Sequence, residues 1–394
     1  MGQEGPGRVD LWAIAAAWTR IGCIGFGGPP AHISLLRQLC VTDRGWLSEV
    51  EFEDAIAATQ LLPGPASTQL AIWCAWRLRG RLGAVVGGCC FIVPGLVVIL
   101  CLAALFLTAR APDWVLGAAA GAGAAVPAVA VGAAIGLMPA SHARAASGAG
   151  SAWRWGGYLA VGVLVGALAG AWVVVALVLC GLAEVAARGL LHPEHPLAVL
   201  PLRVASGPVL AATAAAGGLG AVAWVAFKVG ALSYGGGFVI IPLMQHDAVS
   251  RYHWMTATQF LSAVALGQIT PGPVVQTVAV VGYAAAGVAG GLLAAGVAFA
   301  PSFGFVLGGG RHFGRLRSNR VAQAFLSGAG PASIGAIAAA SVPLAAPLQH
   351  LWQVGVLAVA GVWILGLRRG VPVALVLAAA AGAVAALAGA PIGR

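Results

Sequence analysis

Residues 25–33 read GFGGPPAHI, and residues 233–241 read SYGGGFVII. Both stretches lie within apolar segments and place adjacent glycines where a helix would otherwise continue. Proline removes a backbone donor and clashes with the preceding turn, and glycine weakens a helix interior. We therefore expect the helix to break at both places, and the likeness of the two stretches indicates an internal repeat.

The repeat has a constant offset of 208 residues. From Arg20 and its partner Lys228 to Pro65 and its partner Pro273 the alignment runs without a gap, and 14 of the 46 pairs are identical. The identical pairs include tryptophan, phenylalanine, glutamine and a Pro-Gly-Pro triplet, which shared composition would not bring into register. The alignment predicts three segments: a first membrane repeat over residues 1–186, a linker over 187–208 and a second membrane repeat over 209–394.

The composition is typical of a membrane protein. Hydrophobic residues make up 60% of the chain and charged residues 8%, whereas a soluble domain has about 25% charged residues. Several apolar runs reach the ~20 residues that cross a bilayer core, and we expect an all-α polytopic protein with about 10–13 transmembrane helices. The net charge of +10 lacks the interleaved aromatic residues of a nucleic-acid surface, so no nucleic-acid partner is expected.

Arginine clusters lie on opposite sides of equivalent apolar runs. RLRGR (77–81) precedes the run 83–109, whereas RHFGRLRSNR (311–320) follows the run 274–307. If both clusters are cytoplasmic, as the positive-inside rule favours, equivalent helices cross the membrane in opposite directions. Inverted-topology repeats with broken helices are typical of secondary transporters. We therefore predict two inverted repeats in a multi-pass protein of the inner (cytoplasmic) membrane.

The Pro-Gly-Pro triplets predict short helical hairpins. Residues 48–62 and 66–76, on either side of the first triplet, correspond to about 22 Å and 17 Å of helix, which is too short to span a bilayer comfortably. Arg44 precedes the pair and Arg77 follows it, so both ends are expected on one side. We predict a re-entrant hairpin with the triplet at its tip, surrounded by protein or by a watery cavity.

Capping boxes mark where the first arm of each hairpin begins. Ser48 stands three residues before Glu51, and Thr256 stands three before Gln259, so hydroxyl and side chain satisfy the first helical amides reciprocally. The acidic residues that follow Ser48 suit the positive end of the helix dipole. A role in proton coupling is the alternative for two of them. These coupling candidates are Glu53 and Asp54.

The helix breaks have the chemistry of an anion site. New helices are expected to start at Pro65 and Pro273, where the first amides, as far as Thr68 and Gln276, lack helical partners. Free amides at the positive end of a helix bind anions, and nearby glycines let a ligand approach the backbone closely. Packing and kinking of membrane helices is the alternative reason for these glycines and prolines.

Two cations, Arg20 and Lys228, lie at equivalent positions in apolar runs, six residues before an aromatic-Gly-Gly sequence. A charge at membrane depth costs about 2.5–3.5 kcal/mol or more unless it is paired or hydrated. Either the side chains reach the interface, or they are counter-charges to an anionic substrate. The substrate-binding candidates are Arg20, Gly27, Gly28, Pro29, His32, Gln60, Pro63, Gly64, Pro65, Lys228, Gly235, Gly236, Gly237, Gln268, Pro271, Gly272 and Pro273.

Motifs of catalysis and metal binding are missing from the sequence. It has no HExxH, no Walker A loop, no GxSxG and no CxxC pair. We therefore expect no enzyme activity, no cofactor and no metal site, and transport driven by gradients. An intramembrane enzyme stays a remote alternative, which would need a nucleophile with a base or a pair of carboxylates.

The same motifs resemble those of the chromate ion transporter family. Its FGGP-A-x-Q-I signature resembles residues 26–33, FGGPPAHI, and its LLPGP-xxx-QLA signature matches residues 61–71, LLPGPASTQLA. Residues 227–244 and 267–273 are similar to its other signatures, so the resemblance covers both halves. The departures are Arg20 where Lys is common, His32 where Gln is usual, and Ala66 where Glu often follows the triplet.

The resemblance implies a two-repeat secondary transporter that exports chromate, a tetrahedral dianion, and confers chromate resistance. It also implies antiport or competition with sulfate, and sulfate or another oxyanion stays open as the physiological substrate. The expected partners are the transported anion and the lipid bilayer, and a homodimer is one alternative for the oligomeric state.

Overall fold

A computed structural model describes residues 9–107, 111–145, 151–168, 172–190, 218–233, 237–310 and 319–392, without the side chains at 61 and 151. Helices and short connections make up these segments, and no strand occurs among them. Four helices are long and apolar enough to cross a membrane: Ala66–Phe106, Asp113–Ala145, Val274–Gly309 and Arg320–Ala345. The predicted class, an all-α polytopic membrane protein, is confirmed. From residue 191 onward the predicted linker lies outside the described residues.

The helices described in the N-terminal half are α1 (Leu11–Ile24), α2 (Pro29–Arg37), α3 (Glu49–Leu61), α4 (Ala66–Phe106), α5 (Asp113–Ala145), α6 (Ser151–Leu168) and α7 (Val173–Ala187). Those of the C-terminal half are α8 (Gly218–Leu232), α9 (Ile241–Gln245), α10 (Ala257–Ile269), α11 (Thr277–Gly309), α12 (Arg320–Ala345), α13 (Leu351–Gly361) and α14 (Val371–Leu387). A 3₁₀ turn, Val274–Gln276, leads directly into α11.

Local structure recurs at equivalent positions of the two halves. A π-helical turn spans Gln38–Asp43 in one and His246–Arg251 in the other, 208 residues later. Both predicted capping boxes are present, at Ser48 before α3 and at Thr256 before α10. The two sequences therefore direct the same turns and helix starts through the same short-range interactions.

Both long helices that follow the triplets are sharply kinked. Gly80 in α4 has φ 63° and Gly287 in α11 has φ 61°, backbone conformations that favour glycine. These glycines are 207 residues apart, so the offset of 208 does not hold beyond the triplets, where the second half has one residue fewer. The kink turns the chain back on itself: a methyl group on Gly87 would lie 2.4 Å from Cβ of Ala75. In a straight helix those residues would be about 18 Å apart.

The C-terminal helices of each half pack against the other half. α14 packs on α5, where Gly121 meets Gly382 backbone to backbone, and α6 and α7 pack on α12. At Gly162 of α6 an added methyl group would lie 1.9 Å from the carbonyl oxygen of Ala332. Small residues allow such close approach between apolar helices, where dispersion contacts hold membrane proteins together. The two halves are therefore interlocked.

Candidate functional site

Four broken segments meet between the two halves. The amide of Gly64 donates to the carbonyl oxygen of Ser233 (2.5 Å), and the amide of Gly272 donates to that of Gly25 (3.0 Å). Gly64 is equivalent to Gly272, and Gly25 is equivalent to Ser233. Each Pro-Gly-Pro tip is therefore bonded to the glycine break of the opposite half. This reciprocal pair of bonds brings both breaks and both tips to one place.

The tips have the backbone that the sequence predicts. Gly64 has φ 115° and Gly272 has φ 97°, values at which a side chain is strained. Helix α4 begins directly after Pro65, and the 3₁₀ turn that leads into α11 begins directly after Pro273. Both predicted helix starts are confirmed.

The number of amides that these starts can offer a ligand is smaller than predicted. The third amide of each start is used locally, from Thr68 to the carbonyl of Pro65 and from Gln276 to that of Pro273. Short i→i+3 bonds of this kind tighten helix ends. At most the first two amides of each start remain for an anion.

Buried polar atoms without a hydrogen-bond partner cluster at these helix ends. Among the described residues, such atoms belong to Thr68, Gln69, Ser233, Gln268, Gln276, Ser302 and Tyr252. Apart from Tyr252, these residues lie beside the tips: Thr68, Gln69 and Gln276 follow a triplet, Gln268 is in the last turn before one, Ser233 is at a break and Ser302 is beside Gly64. An unpaired buried polar group costs about 1–3 kcal/mol, so native proteins usually pair it with a ligand or water. The cluster is therefore the candidate for a polar binding site.

Gln69 and Gln276 belong to this cluster, and each also bonds to the backbone beside a tip. The amide nitrogen of Gln69 donates to the carbonyl of Pro63 (2.7 Å), and that of Gln276 donates to the carbonyl of Ile92 (2.7 Å). Each therefore keeps its amide oxygen for another partner. Sequence reasoning missed both glutamines, together with Thr68, Ser233 and Ser302. For Thr68 and the two glutamines the available signal was their position just after a triplet, whereas Ser233 and Ser302 do not follow one.

His32 links a glycine break to a helix start. Its Nε2 lies 2.9 Å from the carbonyl oxygen of Gly25, and its Nδ1 lies 3.2 Å from the hydroxyl of Ser67. The ring is fully buried and meets Phe91 edge-on. Because both ring nitrogens are engaged, His32 supports the site rather than offering a free donor to an anion.

The two equivalent cations have different surroundings. Lys228 forms an ion pair with Asp247, in the π-helical turn of the second half, and lies over the ring of Trp224. An acid partner was not among the sequence alternatives for Lys228, because Asp247 lies 19 residues further along the chain. Arg20 is exposed and makes no ion pair within the described part of the chain.

Equivalent candidates also differ in exposure. Gln60 and Pro63 are exposed, whereas Gln268 and Pro271 are buried. In the first glycine break Gly27 is exposed, and Pro29, which begins α2, is half-buried. The second glycine break ends at Gly237, which packs against Val275. The remaining two candidates, Gly235 and Gly236, lie outside the described residues. These first-half candidates are therefore more exposed than their described equivalents in the second half.

Ion pairs close the open end of the first hairpin. Arg77, at the end of the second arm, pairs with Glu51 in the first turn of α3 at 2.8 Å, so the arms are antiparallel as predicted. Arg37 of α2 pairs with Glu49 and with Glu53, one of the two coupling candidates. Partial burial opposes the ionisation of Glu51, but hydrogen bonds from Arg77 and the Ser48 amide outweigh it and lower its pKa.

The chain matches the family model described as chromate transporter over residues 12–185 and 220–386. It is 29% identical over 388 residues to a probable chromate transport protein of Synechococcus elongatus, covering 95% of each chain. It is 31% identical to chromate transport proteins of Cupriavidus metallidurans and Pseudomonas aeruginosa, over 85% and 86% of this chain and 82% of each relative. No solved structure is significantly similar to it. The chain therefore belongs to the chromate transporter family.

Proposed function

We propose that this protein exports chromate across the cytoplasmic membrane, confers chromate resistance, and binds the anion where the four broken segments meet. The observation that carries the proposal is the cluster of buried, unpartnered polar groups at that place. The names of the relatives support chromate as the substrate. Family membership favours transport over the intramembrane enzyme that the sequence left open.

The chemistry of the cluster suits a tetrahedral dianion. Hydroxyl groups of Thr68, Ser233 and Ser302 and the amide nitrogen of Gln268 are donors without partners among the described residues. Hydrogen bonds to a charged group contribute about 1.5–3 kcal/mol each, and a helix start adds about 0.3–1 kcal/mol, up to about 2 kcal/mol where partly buried. Because sulfate has the same shape and charge, it is the second candidate substrate, as an exchanged or competing anion.

The two halves work as inverted repeats in this proposal. The reciprocal bonds from Gly64 to Ser233 and from Gly272 to Gly25 support a two-fold relation between them. An axis in the membrane plane would make the exposed Gln60 and the buried Gln268 exchange environments when the carrier changes its open side. The arginine cluster over 311–320 that also motivates inversion lies, as far as residue 318, outside the described residues.

The membrane potential supplies a driving force for export. Moving one elementary charge through 100 mV is worth about 2.3 kcal/mol, so a dianion leaving a negative interior gains about 4.6 kcal/mol. Glu53 and Asp54 remain proposals as coupling groups. Glu53 is exposed and paired with Arg37, which favours a role at the mouth of the hairpin.

A flux experiment with matched serine variants tests the proposal. Purified protein in liposomes should carry chromate, with competition by sulfate, under an imposed membrane potential. Ser302→Ala removes an unpartnered hydroxyl, whereas Ser333→Ala removes one that bonds its own helix at the carbonyl of Gly330. We expect about tenfold weaker chromate binding for Ser302→Ala, equivalent to about 1.4 kcal/mol, and wild-type binding for Ser333→Ala. No chromate flux in the wild type, or equal binding by both variants, would contradict it.

A further inference from the structure

The buried ion pair between Lys228 and Asp247 exists in one half of the protein. Lys228 lies on α8 and Asp247 on the π-helical turn His246–Arg251, with side chains 14% and 2% exposed. Their equivalents, 208 residues earlier, are Arg20 and Leu39. The cation is therefore repeated and the acid is not. Since both halves form the π-helical turn, the acid is not needed for that local fold.

Lys228 lies on the helix that ends at the site. Ser233, with its unpartnered hydroxyl and its bond from the Gly64 amide, follows five residues later, about 7.5 Å along the helix axis. The lysine ammonium is a point charge on a flexible four-carbon stem, and it can change partners without moving its helix. In the structure the ammonium lies over Trp224, one turn before Lys228, so an anion at the helix end would be met only after the side chain turns toward Ser233.

An anion at this site competes with Asp247. A paired lysine is neutral as a unit, and a dianion brought near the pair is repelled by the carboxylate as well as attracted by the ammonium. A dianion that displaces the carboxylate gains the whole charge of the lysine. When the dianion leaves, an unpaired buried lysine would be costly, because a buried charge without a partner is poorly solvated.

We infer that Asp247 is a built-in substitute for the transported anion, holding Lys228 in the empty carrier and giving it up when the substrate binds. This inference rests on the proposed function. The pair lets the empty carrier change its open side without an uncompensated charge. Exchange of one anion for another does not require the empty carrier to change its open side, because an anion is bound during both the outward and the inward step.

The test separates exchange from net flux in liposomes, with chromate as the probe. Asp247→Asn should bind chromate about tenfold more tightly than the wild type, keep chromate–chromate exchange and lose most net efflux. Asp247→Glu keeps the charge and should keep net efflux. Asp43→Asn, which changes an exposed acid in the equivalent π-helical turn, is the matched control and should behave as the wild type.

Equal losses of exchange and net efflux in Asp247→Asn, or normal net efflux, would overturn the inference. If Asp247→Asn does not fold, the double variant Lys228→Gln with Asp247→Asn removes both charges, and chromate-dependent thermal unfolding reports its affinity. We expect that affinity to be at least about tenfold below wild type, and an unchanged affinity would also overturn the inference. Absence of chromate exchange in the wild type would refute the proposed function instead.

Discussion

A methyl group at the first tip should disrupt the site more than one at a kink. Gly64 has φ 115°, and an added methyl group would lie 2.6 Å from the amide nitrogen of Gln69. Gly80 has φ 63°, with nothing within 4 Å of the added group. Gly64→Ala and Gly80→Ala therefore share the backbone penalty, and only the first forces another side chain to move.

The magnitudes follow from these surroundings. A non-glycine residue in this sparsely populated backbone region (Gly80 has φ 63° and ψ −150°) costs about 1–3 kcal/mol, which is the whole cost expected for Gly80→Ala. Gly64→Ala also displaces the amide of Gln69 from the carbonyl of Pro63, and an unpaired buried amide costs about 1–3 kcal/mol. The expected total for Gly64→Ala is therefore about 2–6 kcal/mol.

Thermal unfolding of the purified variants, with and without chromate, measures the difference. Gly64→Ala should unfold at a clearly lower temperature than Gly80→Ala and gain less from chromate, because Gln69 faces the binding cluster. Chromate exchange in liposomes should fall in Gly64→Ala and stay near wild type in Gly80→Ala. Equal losses in the two variants would refute the reasoning, since the contact with Gln69 would then carry no energy.

Three further predictions concern charge and topology. Arg20→Lys should keep measurable chromate flux and Arg20→Gln should lose most of it, because charge matters more than the guanidinium fork; normal flux in Arg20→Gln would mean that the side chain only reaches the interface. The pKa of Glu51 is lowered in the folded state. Its pairing with Arg77 therefore stabilises the fold at a pH above the unfolded pKa near 4.5, and this stabilisation is lost as the pH falls through the folded pKa. Glu51→Gln should remove that acid-dependent contribution to stability, which is under about 1 kcal/mol for a pair so exposed. An unfolding temperature that depends on pH as in the wild type would contradict it. In a cysteine-free background, Arg79→Cys and Ala286→Cys, at the two equivalent kinks, should label from opposite sides of the membrane, whereas labelling from the same side would rule out inversion.

The breaks and starts of helices could be predicted because their causes lie within a few residues. Proline lacks a donor wherever it stands, and a hydroxyl three residues before Glu or Gln closes a capping box on its own turn. The helix starts after Pro65 and Pro273, the boxes at Ser48 and Thr256, and the antiparallel hairpin closed by Arg77 follow from such short-range rules.

The polar lining of the site could not be predicted in the same way. Whether Ser302 or Thr68 has a partner depends on which helix packs against it, and the sequence pattern of α11 or α4 does not specify that helix. Lys228 and Asp247 are 19 residues apart and separated by a helix break, so no local spacing rule links them. The spacing of the two kinks, one residue less than the repeat offset, was not predicted either, because the kinks are located only by the backbone angles of Gly80 and Gly287.

The sequence by itself determined the membrane class, the repeat, and the places where helices break, because hydropathy and backbone conformation are properties of short segments. The tertiary structure decided how the halves meet: the bond from Gly64 to Ser233, its counterpart from Gly272 to Gly25, and the packing of each half's last helices on the other half. The two bonds join residues more than 160 positions apart along the chain. Both bonds need a close approach of two backbones, which a glycine on at least one side allows, and that approach depends on the whole arrangement of helices.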